Sequence, residues 1–294
     1  MAHGLRAAGV DSVLGGVAWE RIPVDPYPGP RPLADIHGAR QLEAGAAIID
    51  PDQGATTPEG AHFCESRLAT FRGERTVLID VSAGPGIAAA GIDAAASELG
   101  CDLIFLVDIG GDAIADGSEP GLASPLCDAV MIAAGARVET VPCLLGVLGA
   151  GCDGELQPAE VLGRVAALAR AGAWLGTLGV SPAAAKEIED AAAIAVTEAS
   201  LLVAYAVRGR EGPVEIRGGR RTVDLSPLAA LTFVFDPAAA LAELPLVRAI
   251  AEASSIEAAR DALNDLGIST ELDYEEGRVS AGPDTGPPAG TSGG

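Results

Sequence analysis

Acidic residues crowd one short segment of this chain. Val107–Asp128, VDIGGDAIADGSEPGLASPLCD, carries Asp108, Asp112, Asp116, Glu119 and Asp128. Carboxylates at this density do one of two kinds of chemistry. They hold a hard cation such as Mg2+ through oxygen, or their environments push their pKa values apart into an acid and a base. Asp108 closes an apolar run, where a carboxylate loses its water and needs a partner. The surrounding glycines and prolines give the loop a fixed shape. Asp108 and Asp112 are therefore the candidate bases or Mg2+ ligands, and Glu119 and Asp128 the second carboxylates. The plain alternative is a solvated acidic loop.

Other residues offer anion recognition. Arg21 carries a bidentate fork suited to a carboxylate or phosphate; it also stands next to Glu20 and near Asp25, with which it could pair structurally. Ser82, Gly84 and Gly86 in DVSAGPG could cradle an oxyanion at a helix start, or simply turn a strand into a helix. Gly110 and Gly111 permit close backbone approach. Asp153 lies in a further Gly-rich acidic turn, GAGCDGE. Nucleophilic and metal chemistry of other kinds is poorly served. His62 and Cys64 stand two residues apart, a spacing that turns them away from each other on a helix. The five cysteines include no CxxC pair and read as buried apolar groups, and the three histidines show no zinc spacing. Lys186, the single lysine, sits in AAAKEIEDAAA, a helix surface, and no GxxxxGK[ST] is present.

These residues need elements to position them, and the chain reads as strand, Gly-rich turn, helix, repeated. Strands are expected at Ser12–Trp19, Ala46–Asp50, Thr76–Ser82, Cys101–Ile109 and Arg137–Leu148, with helices at Ile87–Leu99, Leu126–Ala134 and Leu156–Ala171. In the last helix Val161, Leu162, Val165 and Leu168 share one face. Continuous apolar strands alternating with helices imply a Rossmann-like, mostly parallel sheet covered on both faces. Ligands of such sheets bind beyond the carboxyl ends of the strands, and the candidate residues fall there. The expected core spans residues 10–172, with additions over 173–279: helical Pro182–Val207, a hairpin at Val214–Leu225 turning at Gly218-Gly219, a strand at Thr232–Asp236, and helical Pro237–Leu266 with breaks near Pro245 and Ser254-Ser255. Residues 280–294 have the composition of a disordered tail. His3–Gly9 reads as the end of a crossover helix, so the fold is expected to lack its first strand.

Composition narrows the function classes. Nineteen Lys+Arg against forty-one Asp+Glu give a net charge of −22. Neither nucleic acid nor an anionic membrane surface suits that balance. Hydrophobic residues at 49% exclude a disordered chain over most of the length, yet no run is long and apolar enough to span a membrane. The opening MAHGLRAAGVDS lacks signal-peptide features, and a cytoplasmic protein is expected.

Three segments carry a family resemblance: LGGVAWER (Leu14–Arg21) with its Pro-rich sequel, VDIGGD…DGSEPGLASPLCDA (Val107–Ala129) and LGVLGAGCDGEL (Leu145–Leu156). Over roughly Val10–Leu272 the chain resembles an uncharacterised family of unknown function found in archaea and actinobacteria. The resemblance implies a Rossmann-like fold. It also implies that Glu20, Arg21, Asp108, Gly110, Gly111, Asp112, Glu119, Ser124, Asp128 and Asp153 belong to the family signature. Family members carry an upstream Gly-rich strand–turn that this sequence does not show. GGDAIADG is also similar in spirit to the Gly-rich acidic loop of D-glutamate cyclase, a hydro-lyase. The expectation is a small-molecule lyase, cyclase or hydrolase acting on an anionic substrate by carboxylate chemistry, with Mg2+ the one suggested cofactor. A non-catalytic nucleotide- or sugar-phosphate-binding protein is the alternative. Ala-rich helices offer a surface for a homo-oligomer.

Overall fold

The computed structural model describes residues 10–22, 24–195 and 197–281. The expected crossover helix at His3–Gly9 lies outside them, as does most of the expected tail. The described residues form a mixed α/β fold, and no helix among them is long and apolar enough to cross a membrane.

Two four-stranded sheets organise it. In the first, β1 (Leu14–Val17), β2 (Arg40–Gln41), β3 (Ala46–Ile49) and β4 (Thr76–Ile79) lie in the order β1-β4-β3-β2. Only β1 and β4 are parallel, joined through α1 (Cys64–Arg72). Helix α2 (Gly84–Leu99) follows, with Pro85 in its first turn and Gly100 closing it in the left-handed conformation.

In the second sheet, β5 (Ile104–Ile109) leads through α3 (Pro125–Gly135) to β6 (Cys143–Leu148), a parallel crossover. Helix α4 (Pro158–Arg170) begins with a capping box from Gln157 and Glu160. It buries Val161, Val165 and Leu168, while Leu162 is exposed. β7 (Trp174–Gly179) is followed by α5 (Pro182–Ala192) and α6 (Glu198–Val207), capped by Ser181 and Thr197. The single helical stretch expected over Pro182–Val207 is thus two helices. The hairpin of β8 (Gly212–Ile216) and β9 (Arg221–Leu225) turns through Arg217, Gly218 and Gly219, all at positive φ. β10 (Leu231–Phe235) then pairs antiparallel with both β6 and β7.

The expectation of a mostly parallel sheet therefore holds for two strand pairs only, β1/β4 and β5/β6. The remaining pairs are antiparallel: β2/β3 and β3/β4 in the first sheet, the β8/β9 hairpin, and both pairs of β10, which returns between β6 and β7. Residues 173–279 are not peripheral to the core either. Beyond β10, α7 (Pro237–Glu243), α8 (Pro245–Ile250) and α9 (Ile256–Asp265) pack against α3, and Leu246, Val247, Ile250 and Leu263 join its buried cluster. Pro245 and the segment before Ser255 separate these helices, the breaks that their residues suggest. A last helix, α10 (Glu271–Ala281), also meets α3 and runs into the residues read as tail.

Candidate functional site

The site is built where β5 and β6 end side by side. Their parallel register sets Ile109 beside Leu148. Gly110 N–H donates to Leu148 O at 3.0 Å and Gly151 N–H to Gly110 O at 2.7 Å. Two Gly-rich acidic turns are thereby locked together. Gly110 has φ +136°, and a β-carbon on it would stand 2.6 Å from Asp153 Oδ2. Only glycine lets the Asp153 carboxyl come this close to the β5 turn. A short 3-10 turn, Asp112–Ile114, then leads into the loop before α3.

Five carboxyl groups converge at this edge. Ligand-type oxygens of Asp108, Asp112 and Asp128 lie within 4.8 Å of one another, and so do those of Asp112, Asp153 and Glu155. Asp112 belongs to both groups. Asp108 Oδ2 accepts from Gly111 N–H at 2.9 Å, and Asp153 Oδ1 from Glu155 N–H at 3.1 Å. Asp153 Oδ2 is buried with no hydrogen-bond partner. Glu155 is the best supported of the five. It accepts from Ala123 N–H at 2.7 Å, Ser124 N–H at 2.9 Å and Ser124 Oγ at 2.7 Å. Arg221 and Arg217 of the hairpin stand 3.5 and 3.9 Å from it.

Crowding and burial set the protonation. Burial, followed by repulsion from Asp128, pushes Asp108 and Asp112 well above the carboxylate range. Burial and then Glu271 push Asp128 up to about 7, against the pull of Arg21. Burial and then Glu155 push Asp153 up to about 6, against Arg221 and Arg217. Ser124 Oγ also lies 3.3 Å from Asp112 Oδ2. One hydroxyl has one proton, so a protonated Asp112 donates to Ser124 Oγ while Ser124 donates to Glu155.

The rim on the other side is set by residues distant in sequence. Glu271 of α10 accepts from Leu126 N–H at 3.0 Å and Cys127 N–H at 2.9 Å. It thus fills the anion seat at the start of α3. Arg21 donates to Glu271 at 3.2 Å, lies 3.7 Å from Glu275 and stacks on Trp19 at 4.2 Å. Glu275 in turn accepts from Trp19 Nε1 and Gly29 N–H. Arg21 is committed to the protein's own carboxylates, and these raise its pKa against the opposing effect of burial.

Of the residues expected at the site, Asp108, Gly110, Gly111, Asp112, Ser124, Asp128 and Asp153 come together here. Glu119 does not. Its oxygens accept from Asp116 and Gly117 N–H and brace its own loop. Glu20 accepts from Cys64 N–H at the start of α1. Burial raises its pKa, with the Cys64 contact and Arg67 opposing. The Ser82 turn is also spoken for. Ser82 N–H and Oγ both donate to Asp80, Ser82 O accepts from Ile256, and a β-carbon on Gly84 would collide with Ala253 O. Gly86 opens on free space in the same turn. This is the strand–helix turn packed on residues 253–256, and these contacts do not reach the carboxylates. Burial pushes the Cys64, Cys143 and Cys152 thiols up to about 12, which keeps them protonated.

Sequence reasoning does not single out Glu155, Glu271, Glu275, Arg217 or Arg221. Glu155 has a local signal, two residues beyond Asp153 in the same Gly-rich turn. Glu271 has none, since its partner Leu126 lies 145 residues away. Among known proteins, a family model described as "Protein of unknown function (DUF1152)" matches residues 1–279. No curated protein and no solved structure matches the chain.

Proposed function

The chain belongs to the DUF1152 family, and we propose that it is a small-molecule enzyme working by carboxylate acid–base chemistry at the β5–β6 edge. The observation that carries this reading is the convergence of Asp108, Asp112, Asp128, Asp153 and Glu155 with too few donors among them. Burial and mutual repulsion favour the protonated form of Asp108 and Asp112, while Arg221 and Arg217 favour the charged form of Asp153. A proton donor and a proton acceptor then stand a few ångströms apart. Asp153 takes a proton from a substrate carbon or a bound water, and Asp112 returns one to the leaving atom. That pair serves a lyase, a cyclase or a hydrolase equally.

We read the β5–α3–β6 crossover as the catalytic half of a Rossmann-like arrangement, with the site where such folds bind ligands. The proposed substrate is small and anionic, and the protein works in the cytoplasm. With a net charge of −22, neither nucleic acid nor an anionic membrane is a partner. The alternative, a non-catalytic nucleotide- or sugar-phosphate-binding protein, loses the start of α3 as its phosphate seat, because Glu271 already occupies it.

The test is turnover. Purified protein is incubated with pools of phosphorylated sugars, hydroxy acids and amino acids, once with Mg2+ and once in EDTA, and product is followed by NMR. The wild type should convert a member of one pool, and Asp112→Asn should lose about 100-fold or more in rate without a lower Tm. Equal turnover by Asp112→Asn would sink the reading.

A further inference from the structure

An anionic substrate at this edge meets an electrostatic obstacle. It has to approach Asp112, Asp153 and Glu155, all buried and all within 4.8 Å of one another. Arg21, which faces the start of α3 through Glu271, is already bound to that carboxylate. Arg217 and Arg221 face Glu155, and their side chains are 45% and 23% exposed.

Asp153 shows what the arrangement lacks. The residue is 6% exposed, and its Oδ2 has no hydrogen-bond partner. A buried carboxylate oxygen left so is destabilising unless something pairs with it. The other carboxyl oxygen is held by Glu155 N–H, and the Gly110 cradle fixes the carboxyl in place. Glu155 is likewise fixed by two backbone N–H groups and Ser124. The spacing is that of a coordination sphere. Oxygens bound to one ion at about 2.1–2.4 Å can lie up to about 4.8 Å apart. All three donors are carboxylates, which select a hard cation of the Mg2+, Mn2+ or Ca2+ kind over zinc.

We propose that Asp112, Asp153 and Glu155 form a divalent-cation site, and that the cation bridges the protein to a phosphate-bearing small molecule whose far oxygens meet Arg217 and Arg221. This rests on the reading above that the β5–β6 edge is the reacting site, and adds the cation and the substrate class; with the cation bound, Asp112 and Asp153 are its ligands and the proton transfers fall to the neighbouring Asp108 and Asp128. A cation turns the carboxylates from an obstacle into the anchor for a chelating phosphate. Arg221 Nη1, buried and without a hydrogen-bond partner, is placed to complete that seat.

The first experiment needs no substrate. Mn2+ is titrated into the full chain and free ion is read by EPR. One tight equivalent is expected, competed by Mg2+. Asp153→Asn should weaken it about tenfold or more, with circular dichroism confirming the fold. Should Asp153→Asn not fold, Asp112→Asn takes its place in the same titration. Glu119→Gln, a carboxylate outside the cluster, should bind as wild type does. No saturable Mn2+ binding, or binding untouched by both aspartate variants, overturns the proposal. Inorganic phosphate should then tighten Mn2+ binding in wild type but not in Arg221→Ala; equal effects on both overturn the phosphate assignment. The two readings fail separately. Turnover in EDTA without Mn2+ binding defeats the cation and keeps the enzyme. Mn2+ binding without turnover of any pool keeps the cation and defeats the enzyme.

Discussion

The chain builds the same kind of edge twice and treats its acids oppositely. Beyond β1 and β4, Asp25, Asp80 and Glu20 find their donors, whereas Glu65, packed against Gly16 and pushed up to about 8 by burial, resembles the other edge. Asp25, fully buried, receives both Nε and Nη2 of Arg31 at 2.7 Å, and Arg31 also meets Glu59. Asp80 takes the Ser82 turn, and Glu20 takes the start of α1. Beyond β5 and β6, Asp108, Asp112, Asp128, Asp153 and Glu155 share a few backbone N–H groups, one serine and two arginines standing 3.5 Å or more away. Residue type does not separate the two edges; the ratio of donors to carboxylates does. A satisfied carboxylate is structural, because its charge is already spent. An unsatisfied buried one must hold a proton or bind a cation, and either makes it chemically available.

The contrast breaks most sharply at the first edge. Asp25→Ala leaves a buried Arg31 without its main partner and should cost about 3–5 kcal/mol in urea unfolding. At the second edge, Asp112→Asn should leave stability intact and remove turnover, about 100-fold or about 2.7 kcal/mol of barrier. Titration gives the next largest effect. Asp128 and Asp153 have folded pKa values near 7 and 6, above the unfolded value of about 3.9. The native state thus binds more protons between these limits. Stability from this source should be greatest below about pH 4, fall as pH rises through 6 and 7, and level off above about pH 8. Asp128→Asn should remove much of that slope and raise stability at pH 8 by about 1–2 kcal/mol. A flat profile for wild type in EDTA would mean that the cluster is paired after all. The smallest effect belongs to Glu119→Gln. Losing charged acceptors for Asp116 and Gly117 N–H should cost about 1 kcal/mol and leave turnover unchanged.

Much of the second edge is legible locally. An apolar run ending in Asp108, two glycines, and a helix opening at Pro125 place three carboxylates at one sheet end without any long-range information. The repeated turn at Gly149–Glu155 adds Asp153 by the same logic. β7 escapes this reading because WLGTLG is exposed over most of its length and has no clear alternation. β10 is visible as a strand, but its antiparallel place between β6 and β7 is not, since pairing partners are chosen across the chain.

What the sequence determines by itself is therefore the supply of acids, the glycine turns that bring them close, and the parallel crossover that gathers them. These follow from periodicity and backbone sterics, which are local. Tertiary structure decides which acids stay unpaired. Glu119 and Asp112 are seven residues apart in one loop and chemically alike; one is braced by backbone N–H groups and the other is left among carboxylates. Arg21 looks free for a substrate until α10 brings Glu271 and Glu275 against it. A group's availability depends on the donors that reach it in space, and those come from residues the sequence keeps far away.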